Sequence, residues 1–327
     1  MCPRPVSLPD AALRSERSRS RLAVSPAPPP GRSSRARTAT GVLCIVLSAL
    51  AFGSMAVFAR HAYASGVDTP TLLLLRFSIA GALLWLVISV RRSALPRREG
   101  LAVLAGMGAI GYAGQAFSFF TALTLGSAGL AALLLYLYPA LVALLSRVVL
   151  RHPLSPLQLG AIAMALAGCA LTVGRAVDGT PLAVFFGLLA AFIYAAYILT
   201  GSRLPAGGSA TAGAAVVISS AAAVYGAVAL LRGVRLPGSA GGWLAVLAIA
   251  LVSTAMAIAL FLEGLERLGP VRASVYSTLE PAFTLVLAAA FLGERLTVPR
   301  IAGGGLILAA VVLLARADAS RRPHSPE

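Results

Sequence analysis

LEPAFTLVLAAAFLGERLTVPRIAGGGLIL at 279–308 and LYPALVALLSRVVLRHPLSPLQLGAIAMALAG at 137–168 are the two stretches that decide how this chain folds. Each sets a proline well inside an apolar run, Pro139 and Pro281, whereas the other prolines gather in tails and connections. The two prolines are 142 positions apart (139 to 281). At that same offset Ala131 matches Ala273, Leu137 matches Leu279, Ala140 matches Ala282, Leu145 matches Leu287, Leu150 matches Leu292 and Leu154 matches Leu296. Just upstream, with the offset slipping by one, Leu125-Gly126 matches Leu268-Gly269. Apolar residues coincide cheaply. A shared proline, costly inside a helix because it removes an amide donor, followed by a Leu-Ser or Leu-Thr turn, reads as an internal duplication.

Outward from these stretches the apolar runs continue on both sides. The chain has 327 residues, 58% hydrophobic and 12% charged, with a mean hydropathy of +0.88, whereas a soluble domain carries about twice that share of charge. Runs of membrane-spanning length fall at 41–59, 70–90, 101–123, 128–146, 157–174, 181–200, 210–231, 242–262, 271–292 and 301–315. The expected fold is therefore an all-α membrane protein with ten transmembrane helices. Residues 1–40 read as a disordered basic tail and 317–327 as a short C-terminal tail. Arginine is concentrated on the side of the two tails, 20 residues against six on the other. Because cytoplasmic loops retain basic residues, both termini are expected to be cytoplasmic.

Composition also excludes chemistry. All 27 basic residues are arginine, so the lysine of a phosphate-binding loop or of a Schiff base is missing. Cys2, Cys44 and Cys169 are far apart, and His61, His152 and His324 show no ligand spacing, so neither a metal site nor a disulfide framework is expected. No cofactor is expected. The net charge of +16 sits in tails and short loops beside apolar runs, which orients a membrane protein rather than binding nucleic acid.

Five spans in each half, 41–174 and 181–316, force the two repeats into opposite orientations, the inverted arrangement of many secondary transporters, with a site near the midplane. The sequence resembles the drug/metabolite transporter superfamily in its EamA-type branch of ten-helix permeases, on the two quoted stretches and on PTLLLLRF at 70–77. The resemblance implies export of amino acids, related metabolites or drugs across the bacterial inner membrane, by a monomer or homodimer embedded in the lipid bilayer. It departs at Arg151-His152-Pro153, where the family's usual acidic residue after the fourth helix is His152, although the second copy retains Glu294. The alternative, a membrane-embedded enzyme acting on a lipid or isoprenoid, would need clustered carboxylates or histidines at the interface, and the chain shows none, so it is read as no enzyme.

The candidate site is the polar minority inside the spans. Glu280 is the only carboxylate deep in one, and an ionised carboxylate there costs about 2.5–3.5 kcal/mol or more unless it faces a cavity, a partner or a proton. Tyr276 lies one turn before it. Arg76 is the only arginine well inside a span, placed either to meet an anionic substrate group or to snorkel outward. Tyr112 with Gln115, and Tyr194 with Tyr197, share helix faces at i,i+3 spacing. Tyr138 occupies the position of the repeat that matches Glu280, on the opposite wall. Pro139 and Pro281 are expected to kink their helices.

Overall fold

Helices cover almost all of what the computed structural model describes, namely residues 32–138, 140–142, 144–145, 156–173, 180–201, 209–268, 276–277 and 279–321. Pro139 and the Arg151-His152-Pro153 stretch lie outside the described residues. In chain order the elements are α1 (Arg32–Gly53), α2 (Met55–Ala64), α3 (Thr69–Arg91), α4 (Arg98–Gly106), a π-turn (Met107–Tyr112), α5 (Ala113–Leu125), α6 (Ala128–Leu135), α7 (Pro156–Val173), α8 (Pro181–Gly201), α9 (Ala210–Arg232), α10 (Ala240–Ala250), a second π-turn (Leu251–Met256), α11 (Ala257–Leu268), α12 (Leu279–Leu292) and α13 (Val298–Arg321). The packed body is Thr38–Glu327.

The helix starts follow from short polar side chains. Asp68, Ser127, Ser209 and Ser239 accept the amides of Thr71, Leu130, Ala212 and Gly242 and so cap α3, α6, α9 and α10. Gly233 (φ 77°) and Gly293 (φ 67°) follow α9 and α12 in a positive-φ conformation that a side chain would resist. The first apolar run continues to Ala64 rather than stopping near 59. The polar ends of Arg60 and His61 are met locally, by Gly126 O and by Val57 O.

Among the described residues, six helical stretches are long and apolar enough to cross a bilayer: 37–64, 69–91, 98–125, 181–201, 211–232 and 240–265. Four apolar helices are shorter, at 128–142, 159–168, 279–292 and 298–313. Their outer surfaces are apolar too: Leu230 is 90% exposed, Ile110 79% and Leu244 67%, the profile of helices solvated by lipid. The chain is an integral membrane protein.

Hydrogen bonds at the ends define two faces. On one, Gly238 N–H donates to Ser65 O (2.9 Å), Arg235 N–H to Thr71 Oγ1 (3.1 Å), Thr180 N–H to Leu125 O (3.3 Å), and the Arg60 guanidinium to Gly126 O. We call this the laced face. On the opposite face Ser209 N–H donates to Ala94 O (2.9 Å). Since Arg235 lies beyond one end of α9 and Ser209 at the other, α3 and α9 are antiparallel. The other main pairs are α7 with α13, α5 with α8, α2 with α10, α6 with α8, α3 with α10 and α6 with α12. Small residues set these approaches: a Cβ at Gly108 would lie 2.2 Å from Val217 O, and one at Gly168 2.7 Å from Gly303 O.

Candidate functional site

Between these pairs lies a cavity of about 380 Å³. Arg76, Tyr112, Gln115, Tyr138, Tyr194, Tyr197 and Glu280 all line it. Ser277 and Thr284, one turn either side of Glu280, line it as well, whereas Tyr276 is half-buried outside it. Pro281 is buried in the first turn of α12, directly after Glu280, and Thr278 just before is outside the described residues.

The acidic pole is made by two helices. Tyr136 Oη–H donates to Glu280 Oε2 at 2.7 Å and also faces Ser277 O at 3.2 Å. Tyr136 was not among the residues singled out from sequence. It occupies the cap where α6 gives way to a turn at Tyr136–Leu137, and that turn brings it, rather than Tyr138, onto the carboxylate.

The basic pole lies on α3. Arg76 is 3% exposed and does not snorkel outward. Its Nε–H donates to Thr254 Oγ1 at 2.9 Å, and its guanidinium carbon stands 4.9 Å from the Phe77 ring centroid and 5.3 Å from that of Phe120, contacts that suit a planar cation. Among the described residues Arg76 makes no ion pair, with Glu280 or any other carboxylate.

Rings join the poles. From Phe77 the centroids step to Tyr112 (5.4 Å), Tyr197 (6.1 Å), Tyr194 (6.2 Å), Tyr138 (4.6 Å) and Tyr136 (5.9 Å). The result is a wall of aromatic faces and phenols from guanidinium to carboxylate.

Two local irregularities position this lining. The π-turn at Met107–Tyr112 sets Tyr112, and Gln115 one turn later, into the cavity. The π-turn at Leu251–Met256 presents Thr254 to Arg76, its hydroxyl donating back to Ile249 O at 2.9 Å, and Ser253 to Ser54 at 3.1 Å. Such wide turns recur at functional sites. Their starts are 144 positions apart (107 to 251), close to the offset of the proline repeat. Among the described residues no three His, Cys, Asp or Glu side chains converge to hold a metal.

A family profile described as the EamA-like transporter family matches the chain twice, over residues 39–174 and 181–316. The chain belongs to the EamA-like transporter family. This EamA-like chain is 29% identical over 287 residues to the uncharacterized transporter YcbK of Bacillus subtilis strain 168, covering 82% of the chain and 90% of that protein. It is 28% identical over 273 residues to an uncharacterized transporter of Archaeoglobus fulgidus, covering 84% and 95%. It is 26% identical over 305 residues to the uncharacterized inner membrane transporter YicL of Salmonella typhimurium, covering 88% and 99%. A solved crystal structure superposes with a TM-score of 0.60 at 20% identity, covering 88% of this chain and 99% of that one, a likeness of fold. Family and relatives point to a membrane transporter rather than an enzyme.

Proposed function

We propose that this EamA-like protein is a secondary transporter that exports small organic metabolites, amino acids and related compounds first among them, across the bacterial inner membrane by alternating access. Its helices form ten transmembrane segments in two inverted five-helix repeats, 41–174 and 181–316, with both termini cytoplasmic. Residues 1–40 and 317–327 are the two terminal segments of this arrangement, and helix α1 already begins at Arg32 while α13 runs on to Arg321.

The observation that carries this reading is the cavity, walled by helices of both repeats and holding one carboxylate, Glu280, and one guanidinium, Arg76, at the ends of an aromatic wall. Glu280 is the coupling residue, exchanging a proton or meeting a cationic group of the substrate, and Arg76 meets an anionic group. Tyr112, Gln115, Tyr138, Tyr194 and Tyr197 bind the substrate's body, and Tyr276, outside the cavity, is not part of the set. Pro281, in the first turn of α12, loosens the start of the helix that carries Glu280. The inverted arrangement is supported by the pairing pattern. Counting spans along the chain, the pairs are second with seventh, fourth with ninth, fifth with tenth, first with eighth and third with sixth. Exchanging the two halves maps each of these five pairs onto itself or onto another of the five, and the matching spans α3 and α9 run antiparallel, as inverted repeats require.

The test compares metabolites inside and outside cells carrying the wild type, Glu280→Gln or an empty vector. The expected result is a compound enriched outside with wild type alone, its export rate falling at least about tenfold in the variant. A new modified lipid or metabolite without redistribution would replace the transporter reading with an enzyme. Undiminished export with unchanged pH dependence in Glu280→Gln would remove the coupling role.

A further inference from the structure

A second carboxylate of the same helix hairpin lies outside the cavity. Glu294 follows α12 and reaches across to α6, where its Oε1 accepts the amide of Ala128 at 2.6 Å and its Oε2 that of Gly129 at 3.1 Å. These are the first amides of α6, which no carbonyl within the helix can satisfy. Arg300 braces the contact: its side chain is 5% exposed, Nη1 stands 3.7 Å from Glu294 Oε2, and Nη2 donates to Ser127 Oγ at 3.1 Å, the N-cap of the same helix. Glu294 is itself 13% exposed, so these charge-assisted bonds are sheltered from the screening that weakens surface pairs. A Cβ on Gly129 would stand 2.7 Å from Leu285 Cδ2 and 3.3 Å from Glu294 Oε2, so the glycine is what lets the two helices close here.

The two helices are therefore tied at both ends by carboxylates of the second repeat. Glu280 takes Tyr136 beyond one end of α6, and Glu294 takes Ala128 and Gly129 at the other. Between the ties α6 presents Ala132 and Leu135 to the cavity. Wall and floor are distinct, because the lining residues of α8, Tyr194 and Tyr197, lie about 20–24 Å along that helix from its laced-face start, in the half remote from Glu294. On the laced side the last lining residues are Ala56, Arg76, Phe120 and Ala132, one to two turns short of the connections that Arg60, Thr180 and Glu294 hold. The tie is also one-sided by sequence, since the position of the first repeat that matches Glu294 at the 142-residue offset is His152.

We propose that Glu294, braced by Arg300, is the gate of the cavity on the laced face: its carboxylate must leave the amides of Ala128 and Gly129 for the cavity to open there. The inference rests on the transporter reading of the cavity, but its test needs no substrate.

The experiment uses the full chain with Cys2→Ser, Cys44→Ser, Cys169→Ser and Ala116→Cys, position 116 being a cavity-lining site on α5. A membrane-impermeant thiol reagent is applied to sealed vesicles of each orientation. With Glu294 present, labelling from the laced face is slow. With Glu294→Ala it rises about tenfold or more, and with Arg300→Gln, which leaves the carboxylate in place, it rises by a smaller factor. Thermal unfolding and size-exclusion profiles confirm that each variant is folded, and Ser127→Ala provides a milder version of the same change. An unchanged labelling rate from the laced face in folded Glu294→Ala overturns the gate, as does a cysteine that neither face can reach in any variant. If the gate behaves as stated while no metabolite is redistributed, the transport reading fails and the gate stands.

Discussion

At the residue scale Arg76 shows how much of the site one chain of contacts fixes. A buried guanidinium survives because its Nε–H is taken by Thr254 and its faces rest on Phe77 and Phe120. A lysine keeps the charge but has neither the fork nor the flat face. Arg76→Lys should therefore lower stability by about 1–2 kcal/mol and Thr254→Val by about 1 kcal/mol. Thermal unfolding in detergent of both single variants and the double should reveal a coupling of about 1 kcal/mol; strictly additive losses would mean that the two side chains do not support one another. Arg76 and Glu280 were visible in the sequence because a charged residue inside an apolar run is conspicuous. Thr254 and Tyr136 were not. Thr254 is aimed by a π-turn, which breaks the 3.6-residue count that assigns faces, and the polar pair Ser253-Thr254 inside an apolar run is the one signal of it in the sequence. The repeat offset points to Tyr138 rather than Tyr136, because equal offset in a repeat does not fix equal direction. The turn at Tyr136–Leu137 rotates the chain between them, leaving Tyr136 on the carboxylate and Tyr138 stacked edgewise on Tyr194.

At the element scale, apolar length was enough to locate the six long spans, since runs free of charge can be solvated by lipid, and the capping residues Asp68, Ser127, Ser209 and Ser239 stand where four of the apolar runs begin. What length does not encode is how closely two helices approach. Gly108 and Gly226 look alike in sequence, each a glycine within an apolar run. The first faces Val217 O, where an added Cβ would lie 2.2 Å away, and the second has nothing within 4 Å. Gly108→Ala must push α9 off the first π-turn and should cost about 1–3 kcal/mol. Gly226→Ala, in the middle of α9, should be neutral or stabilising by up to about 1 kcal/mol. Unfolding temperatures of the two variants in the same detergent check the contrast, and equal shifts would show that the close approach does not govern stability.

At the scale of the whole molecule, the faces and the arginines make separate statements that one experiment joins. Gly238 N–H on Ser65 O, Arg235 N–H on Thr71 Oγ1 and the Arg60 guanidinium on Gly126 O gather the connections around 65–68, 126–127 and 233–239 on the laced face, while the Ser93–Arg97 connection, with Arg97 and the neighbouring Arg91 and Arg92, is at the other end of α3. The assignment of the two faces to inside and outside comes from charge. Retention of arginine on the cytoplasmic side would put the 91–98 loop inside and the laced face outside. Val234 on the laced face is 49% exposed and Leu95 on the opposite face 57%, so a single cysteine at either position is open to reagent. In intact cells carrying an otherwise cysteine-free chain, Val234→Cys should react with an impermeant maleimide at once and Leu95→Cys only after permeabilisation. The reverse pattern would turn the molecule over in the membrane and place the Glu294 gate on the cytoplasmic side. Reaction of both in intact cells would mean that the chain inserts in both orientations, an outcome the arginine excess of 20 over six argues against, since so large a bias is what normally selects one orientation.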